Sequence, residues 1–281
     1  MRAVLPLSVD GLCWRSNPAL VWPLDDNDEA WHPFPCGRTR RHGRAIKMRE
    51  SVSTETPEKS SPRERRRLAN VERITQAAKE IVLAEGIDAI SIKRVADDAL
   101  YTPGALYRYF DSKDELISVV AVDLLGSLRE RFSKVAAAAG EDSLLSAAAQ
   151  VLSYCQYARE EPHGFALLSG LVSGPTALIE SNEVARPALD AMFATLEPLG
   201  LAFAHATASG HLSPGDPAER SVVFFAAVQG LMMLRKLERI DTGMVRTDDF
   251  IGVAMRTLLL GWSAASDEVD RVLARAAEMT Q

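Results

Sequence analysis

The sequence predicts an all-α protein, on three observations. Apolar residues recur at steps of three and four positions from Val71 onward, which is the spacing of helices that bury one face. No stretch alternates between apolar and polar residues as a half-buried strand does. The chain of 281 residues is 47% hydrophobic, which is enough for one large core or two smaller ones.

The first 62 residues differ from the rest and form the first predicted segment, 1–62. Residues 1–47 hold three of the four tryptophans and scattered prolines, with no helical or strand period. Three interpretations are open: a disordered leader, a basic arm that follows phosphates, or upstream sequence before a true start at Met48. We favour the third, because Met48 opens a polar stretch, 51–62, of the kind that usually precedes a small helical domain.

Two helices are predicted next. The first ends at Gly86, because glycine is favoured just past a helix C-terminus. The second begins at Ser91, whose side chain can cap it. Their inward-facing residues are Val71, Ile74, Ala78, Ile81 and Val82 in the first helix, and Ile92, Val95, Ala96 and Ala99 in the second.

The segment TPGALYRYF, residues 102–110, contains a proline and a glycine and nevertheless predicts a short helix. Thr102 can cap it, and Pro103 then occupies the first helical position, where its missing N–H costs nothing. Gly104 leaves the first turn bare, so another molecule can approach the free backbone N–H groups. Those groups and the helix dipole attract anions.

A fourth helix opens at the capping box formed by Ser112 and Glu115. It is predicted to be about 25 residues long, and so about 37 Å. Its apolar stripe consists of Ile117, Val120, Leu124, Leu128, Phe132 and Val135. The preceding helix, tight turn and short helix describe a helix-turn-helix, whose second helix enters the DNA major groove by its N-terminal end.

Residues 73–117 resemble the DNA-binding head of the tetracycline-repressor-like (TetR/AcrR) family of bacterial transcriptional regulators. The matching residues are Ala77, Ala78, Gly86, Ser91, Ile92, Val95, Ala96, Ala99, Thr102 to Tyr107, Tyr109, Phe110, Ser112 and Lys113. The sequence departs from that family in the turn, where Leu100 stands in place of glycine and Tyr101 in place of a small aliphatic residue. If the turn needs a left-handed residue, Leu100 costs about 1–2 kcal/mol relative to glycine.

The resemblance implies a three-helix DNA-binding domain over 63–112 and a role for each matching position. Ser91 and Thr102 would bind phosphates at helix N-termini, and Gly104 belongs to the same surface. Tyr107 and Lys113 would contact the same backbone. Taken singly, such a tyrosine is more often a packing residue, but the ordered combination favours DNA. The candidates for reading bases are Lys93, Pro103, Ala105 and Arg108.

The remaining residues predict a helical effector-binding and dimerisation domain, 113–265, followed by a C-terminal tail, 266–281. Pro198 is expected to kink the longest of its helices. After the helix that begins at Ser112, the predicted helices span residues 144–159, 165–172, 183–209, about 217–239 and 247–263.

Residues 154–170 and the segment AAVQGLMML are similar to C-terminal domains of one branch of the same family. The family resemblance implies a homodimer through the last two long helices, 217–239 and 247–263. Such a dimer sets two recognition helices one DNA turn, about 34–36 Å, or a multiple of it apart. The alternative is that these broad apolar faces are internal core. The faces consist of Val222, Phe225, Ala226, Gln229, Met233, Ile251, Ala254, Met255, Leu258 and Leu259.

The resemblance also implies an effector cavity between the helices of this domain. Its candidate lining is mostly apolar, which implies a mainly apolar small molecule. Gln229 is the best polar anchor, because it stands alone in an apolar run. The alternative for such a stripe is plain core. The candidates are Tyr154, Tyr157, Phe165, Leu168, Met192, Phe193, Leu196, Phe225, Gln229 and Met232.

Composition and motifs limit which other functions the sequence allows. The net charge of −6 arises in residues 135–281, which hold ten basic and eighteen acidic residues, so any basic surface must be local. The three cysteines form no CxxC pair, which fits a reducing, cytoplasmic location. No apolar run approaches the length of a membrane span. No nucleotide, serine-hydrolase or zinc-protease motif occurs, and Cys155 is read as a buried small residue.

Together these features predict a DNA-binding transcriptional regulator. The family default is a homodimeric repressor that a mainly apolar effector releases from a palindromic double-stranded operator. No catalytic residue, metal or cofactor is expected. The alternatives are a helical small-molecule-binding protein, an enzyme or a helical scaffold, each without regulatory DNA binding.

Overall fold

The computed structural model describes residues 61–173, 177–238, 240 and 246–280. This part of the chain is helical and contains no strand, which confirms the predicted fold class. The interpretations of the leader, including a start at Met48, lie outside the described residues. The helices are α1 (Pro62–Glu85), α2 (Ile92–Asp98), α3 (Pro103–Leu106), α4 (Lys113–Ala139), α5 (Ser143–Glu160), α6 (Pro162–Gly170), α7 (Asn182–Thr195), α8 (Glu197–Ala208), α9 (Pro217–Leu234), α10 (Thr247–Gly261) and α11 (Ser266–Met279).

Side-chain caps fix where the helices of the head begin. The hydroxyl of Ser91 caps α2 and that of Thr102 caps α3, each by accepting from the backbone N–H three residues later. At the start of α4, Ser112 accepts from Glu115 N at 3.0 Å, and the Glu115 carboxylate accepts in turn from Asp111 N. The predicted capping box therefore forms, with its return bond one residue before the cap.

The core of the head continues into α4, α6 and α7. Ile74 of α1, Val95 of α2 and Leu106 of α3 are fully buried, and Leu116 and Val120 of α4 are buried with them. Helix α4 therefore packs both on the head and on the helices that follow it.

A second core joins α5 to α8, α9, α10 and α11. Phe203, Phe224 and Trp262 pack around one another with ring centroids 5.4 to 6.0 Å apart. The buried guanidinium of Arg220 lies 5.3 Å from the Trp262 ring and donates to the Ser213 carbonyl at 2.7 Å. These contacts anchor the loop before α9 to the end of α10.

The predicted long helix 183–209 is two helices, α7 and α8, which meet at Leu196. Pro198 lies in the first turn of α8, where its missing N–H costs nothing. It therefore helps to begin a new helix instead of kinking a continuous one, and the prediction of a kink was wrong.

The predicted C-terminal tail, 266–281, is also different in the structure, because most of it is α11. Val269, Val272 and Ala276 lie on one face of α11 and are fully buried, and α11 packs on α5. The helix belongs to the second core. Among the described helices, none is both long enough and apolar enough to span a lipid bilayer.

Candidate nucleic-acid interface and internal cavity

The first turn of α3 lies open at the surface of the head. Thr102, Pro103 and Gly104 are exposed, and a side chain added at Gly104 would meet no atom within 4 Å. The Thr102 hydroxyl accepts from Ala105 N at 3.3 Å, and nearby Ser91 accepts from Arg94 N at 3.2 Å. Both turns are capped by their own side chains and are not covered by the described part of the chain.

Cationic side chains without acidic partners flank this turn. Lys93 of α2, Arg108 just after α3 and Lys113 of α4 are exposed and form no ion pair with the described residues. Arg94 differs, because its guanidinium bonds Glu85 at 2.6 and 2.9 Å, and this bond holds the pKa of Glu85 below its usual value. Arg94 thus ties α2 to the end of α1, and the other three cations can bind phosphate.

The three tyrosines of the head divide into two roles. Tyr101 and Tyr109 pack edge to face with ring centroids 6.1 Å apart, and both hydroxyls accept from α1. Arg73 donates to Tyr101 and stacks 4.7 Å from its ring, while Asn70 donates to Tyr109 at 2.9 Å. Tyr107 is 55% exposed and of the three presents the most surface to a partner.

Leu100 occupies the turn between α2 and α3 in a left-handed conformation. Its φ is 60°, and its side chain is 88% exposed. The backbone N–H of Tyr101 reaches back to the carbonyl of Ala96 at 2.8 Å, which closes the end of α2. The turn therefore keeps the geometry that favours glycine, and leucine bears the strain.

An apolar cavity lies between α4, α5, α6, α7 and α9. The empty space between its lining atoms, including solvent at its mouth, is about 420 Å³, and the centre of a water molecule could occupy only about 20 Å³ of it. A groove of about 810 Å³, more open to solvent, shares five of its lining residues. The cavity is lined by Leu125, Leu128, Phe132, Tyr154, Leu168, Leu171, Val172, Met192, Thr195, Leu196, Phe225 and Gln229.

A short chain of hydrogen bonds supplies the polar edge of the cavity. The Tyr154 hydroxyl donates to Gln229 Oε1 at 2.5 Å, and Gln229 Nε2 donates to the Ser169 hydroxyl at 2.9 Å. Burial raises the pKa of Tyr154, so its phenol remains a donor at neutral pH. Gln229 is itself buried, which agrees with its predicted position as a polar group in an apolar wall.

Seven of the ten residues predicted to line the cavity do line it or the adjoining groove: Tyr154, Leu168, Met192, Phe193, Leu196, Phe225 and Gln229. The other three do not. Tyr157 lies against Gly164, the Phe165 ring packs at a tilt against the Tyr154 ring with centroids 5.7 Å apart, and Met232 is buried in the second core. Tyr157 is offset from Tyr154 by about 60° around the helix axis, and its hydroxyl lies beside Gly164 of α6 instead of on the cavity wall.

The sequence-based prediction missed the contribution of α4. Leu125, Leu128 and Phe132 form one wall of the cavity, and Thr195 closes it from α7. The apolar stripe of α4 was recognised as core, but it is longer than a three-helix head can cover. That excess length is the signal that could have placed α4 beside the cavity.

The described residues hold neither a reactive thiol nor a metal-binding cluster. Cys155 is buried, and burial raises the pKa of its thiol to about 12, so it behaves as the small core residue that was expected. Within the described ranges, no group of three or more histidine, cysteine, aspartate or glutamate side chains could hold a metal ion.

A capped, uncovered helix-turn-helix joined to a helical domain with an internal cavity defines a class: DNA-binding transcriptional regulators with a ligand-binding domain. Residues 74–120 match the model of a family described as bacterial regulatory proteins, tetR family. Residues 74–120 are therefore a DNA-binding region of the tetR family.

Solved structures with the same fold extend the similarity to the rest of the described chain. RolR bound to its ligand resorcinol is 16% identical, with a TM-score of 0.57 over 75% of this chain and 96% of RolR. A putative TetR-family transcriptional regulator from Mesorhizobium loti is 16% identical, with a TM-score of 0.52 over 70% of this chain and 98% of that one. A TetR-family regulator from Agrobacterium tumefaciens is 18% identical, with a TM-score of 0.51 and the same coverages. No curated protein sequence shows a significant match.

Proposed function

We propose that this protein is a homodimeric repressor that binds a palindromic operator and leaves it when a mainly apolar small molecule binds. The observation that carries the proposal is the uncovered first turn of α3, where Thr102, Pro103 and Gly104 are exposed. Lys93, Arg108 and Lys113 surround it without ion-pair partners among the described residues. An exposed helix N-terminus next to unpaired cations matches the negative charge of a DNA backbone.

Tyr107 and Lys113 are proposed to hold the phosphates, and Arg108 is the side chain best able to read a guanine. Arg108 is exposed and can make the bidentate pair that guanine offers in the major groove. Lys93, Pro103 and Ala105 are the other proposed base contacts, on the first turns of α2 and α3.

The dimer is proposed to form through α9 and α10, because their outer faces are apolar. Ile251, Met255 and Leu259 are buried within the protomer, so those predicted face positions belong to the core. The exposed apolar residues of these helices are Val223, Ala226, Met233, Leu234, Phe250 and Val253. On α11, by contrast, the exposed face carries Asp267, Asp270, Arg271 and Arg275. An apolar stripe at helical spacing matches a two-fold four-helix interface.

The effector is proposed to be a flat, mainly apolar molecule with one hydrogen-bonding end. Aromatic rings of Phe132, Tyr154 and Phe225 line the cavity, and Gln229 provides the polar edge. A phenol-like compound fits this description, and the RolR structure of similar fold holds resorcinol, a benzene ring with two hydroxyls. The cavity is narrow, so such a ligand must widen it.

Two helices connect the cavity to the head and are proposed to transmit that widening. Helix α4 lines the cavity with Leu125 and begins with Lys113 at the DNA-binding surface. Helix α6 lines it with Leu168, while its other end contacts α1, where His163 Nδ1 lies 3.0 Å from the Leu83 carbonyl. Ligand binding would shift both helices and so change the spacing of the two heads, which is how an effector can prefer one state.

Operator binding is tested with duplexes from the region beside the gene that contain a palindrome. We expect specific retention in a gel-shift titration that falls steeply with salt. Tyr107→Ala and Lys113→Ala should each weaken the complex, while Arg275→Ala on α11 serves as the control. Unchanged affinity in both head variants contradicts the assigned contacts. Absence of any specific duplex, with retained binding of small phenols, favours a small-molecule-binding protein without a regulatory role.

A further inference from the structure

The first three turns of α1 lie outside the part of the head that matches the family. The helix begins at Pro62, whereas the family match begins at residue 74. Residues 61–71 contain four arginines and one glutamate, although residues 63–122 together are neutral. Every residue from 61 to 69 is exposed. The N-terminal part of α1 is therefore a local positive surface that the described residues leave uncovered.

Three of these arginines lie on the side of α1 that faces the helix-turn-helix. Asn70 marks that side, because it donates to the hydroxyl of Tyr109 just after α3. At about 100° per residue, Arg63, Arg66 and Arg67 lie within about 60° of Asn70 around the helix axis. None of the three forms an ion pair with the described residues. They extend the Asn70 face by about 4–11 Å along the axis.

The direction of α1 carries these arginines away from the helices that follow it. Its C-terminal end contacts α6 through Leu83, and its middle contacts α4 through the 2.7 Å ion pair of Lys79 and Asp123. Toward the N-terminus, Arg73 contacts Tyr101, which directly precedes the cap of α3, and Asn70 contacts Tyr109. The next two turns therefore project beyond α3 on the side opposite α6.

We propose that Arg63, Arg66 and Arg67 form a second DNA contact, which binds phosphates flanking the base pairs read by α3. This inference rests on the proposed function, because the duplex seated on α3 places phosphates beyond it. Arginine suits phosphate through its fork of donors. A membrane surface fits less well, since Leu68 is the one large apolar side chain exposed over residues 61–70.

The test compares the wild-type full chain with the triple variant Arg63→Gln, Arg66→Gln, Arg67→Gln. Glutamine keeps helix propensity close to that of arginine. The control triple variant is Arg186→Gln, Arg271→Gln, Arg275→Gln, which removes the same charge from exposed positions on α7 and α11. The probe is a duplex that the wild-type chain enriches from a library of random duplexes. Each is about 40 base pairs long, which gives about four turns at 10–10.5 base pairs each.

Affinity is measured between 50 and 200 mM salt, and each neutralised phosphate adds about 0.9 to the slope of log affinity against log salt. We expect the head variant to lose about 2.7 of that slope per protomer. Its deficit relative to wild type should then shrink about 40-fold for each bound protomer over this salt range. The control variant should keep the wild-type slope.

Shortening the duplex from both ends separates a flanking contact from a general effect on the head. We expect the affinity of wild type to fall to that of the head variant once the flanking base pairs are removed, while the affinity of the head variant changes little.

Equal affinity and slope for the two triple variants overturns the proposal. So does an equal loss at every duplex length without a change of slope, because that pattern indicates altered folding. Retained DNA binding with lost self-association assigns the arginines to a second copy. If wild type enriches no duplex, the proposed function itself fails.

Discussion

Leu100 shows how one residue can keep a turn while straining it. Its left-handed φ of 60° is the conformation that costs a non-glycine residue about 1–2 kcal/mol. The 88% exposed side chain gains little from packing. The sequence predicts strain at Leu100 if the turn needs a left-handed residue, and Leu100 does adopt that conformation.

Leu100→Gly is therefore expected to raise the free energy of unfolding by about 0.5–1 kcal/mol, after allowing for the added freedom of glycine when unfolded. Urea denaturation of the full chain measures it. Leu100→Ala is the control, because it removes the apolar surface but keeps the strained Cβ. A glycine variant no more stable than the alanine variant would show that the turn is not strained.

Gln229 is the residue on which the polar edge of the cavity depends. Gln229→Leu leaves the Tyr154 and Ser169 hydroxyls without their partner, and we expect a loss of about 1–3 kcal/mol in unfolding free energy. Adding Tyr154→Phe should recover part of that loss, because one unsatisfied hydroxyl is removed. A double-mutant cycle by thermal or urea unfolding measures the coupling. Strictly additive losses would mean that the Tyr154–Gln229 bond contributes nothing.

At the scale of elements, Gly164 of α6 packs closely against Tyr157 of α5 and Leu83 of α1. A Cβ on Gly164 would come within 2.6 Å of the Tyr157 hydroxyl and 3.0 Å of Leu83. That hydroxyl is buried without a hydrogen-bond partner among the described residues. Gly164 is thus required for α6 to approach α1 closely.

Gly164→Ala should destabilise the protein by about 1–3 kcal/mol, because the added methyl overpacks this junction. Tyr157→Phe alone should be neutral or stabilising, since it removes an unsatisfied buried hydroxyl. In combination, Tyr157→Phe should relieve much of the cost of Gly164→Ala. Circular-dichroism melts of the four proteins measure this rescue. An alanine variant as stable as wild type would contradict the close approach of α6 to α1.

The capped helix starts of the head could be predicted from local chemistry, whereas several helix boundaries in the remaining chain could not. Ser91, Thr102 and Ser112 are caps whose effect is decided within three residues, so sequence reasoning found them. The rule that explained Pro103, a proline in the first helical turn, also applies to Pro198, but an apolar run on both sides of Pro198 concealed the break. Helix α11 was missed because its buried stripe is narrow among many charged residues.

At the scale of the whole molecule, the candidate site was only partly predictable. The residues proposed to bind DNA lie in one contiguous segment, so their order alone carried the prediction. The cavity is assembled from five helices, and which side of each helix faces it depends on how the helices pack. Tyr154 and Tyr157 illustrate this, since the first lines the cavity and the second lies against α6.

The proposed dimer is tested at the outer faces of α9 and α10. Val223 and Val253 are 47% and 62% exposed, and replacing both by glutamate places charges in a face that should be buried between protomers. We expect the double variant to elute as a monomer in size-exclusion chromatography with light scattering. Leu201→Glu on α8, also exposed, should leave the dimer intact. A dimeric Val223→Glu, Val253→Glu protein would place the interface elsewhere.

The central claim is that the first turn of α3 is open and meets a DNA duplex. Gly104→Leu tests it most directly, because a side chain there meets no protein atom within 4 Å. We predict an unchanged melting temperature and a loss of at least about tenfold, or about 1.4 kcal/mol, in affinity for the selected duplex. A folded Gly104→Leu protein that binds this duplex as tightly as wild type would contradict the account.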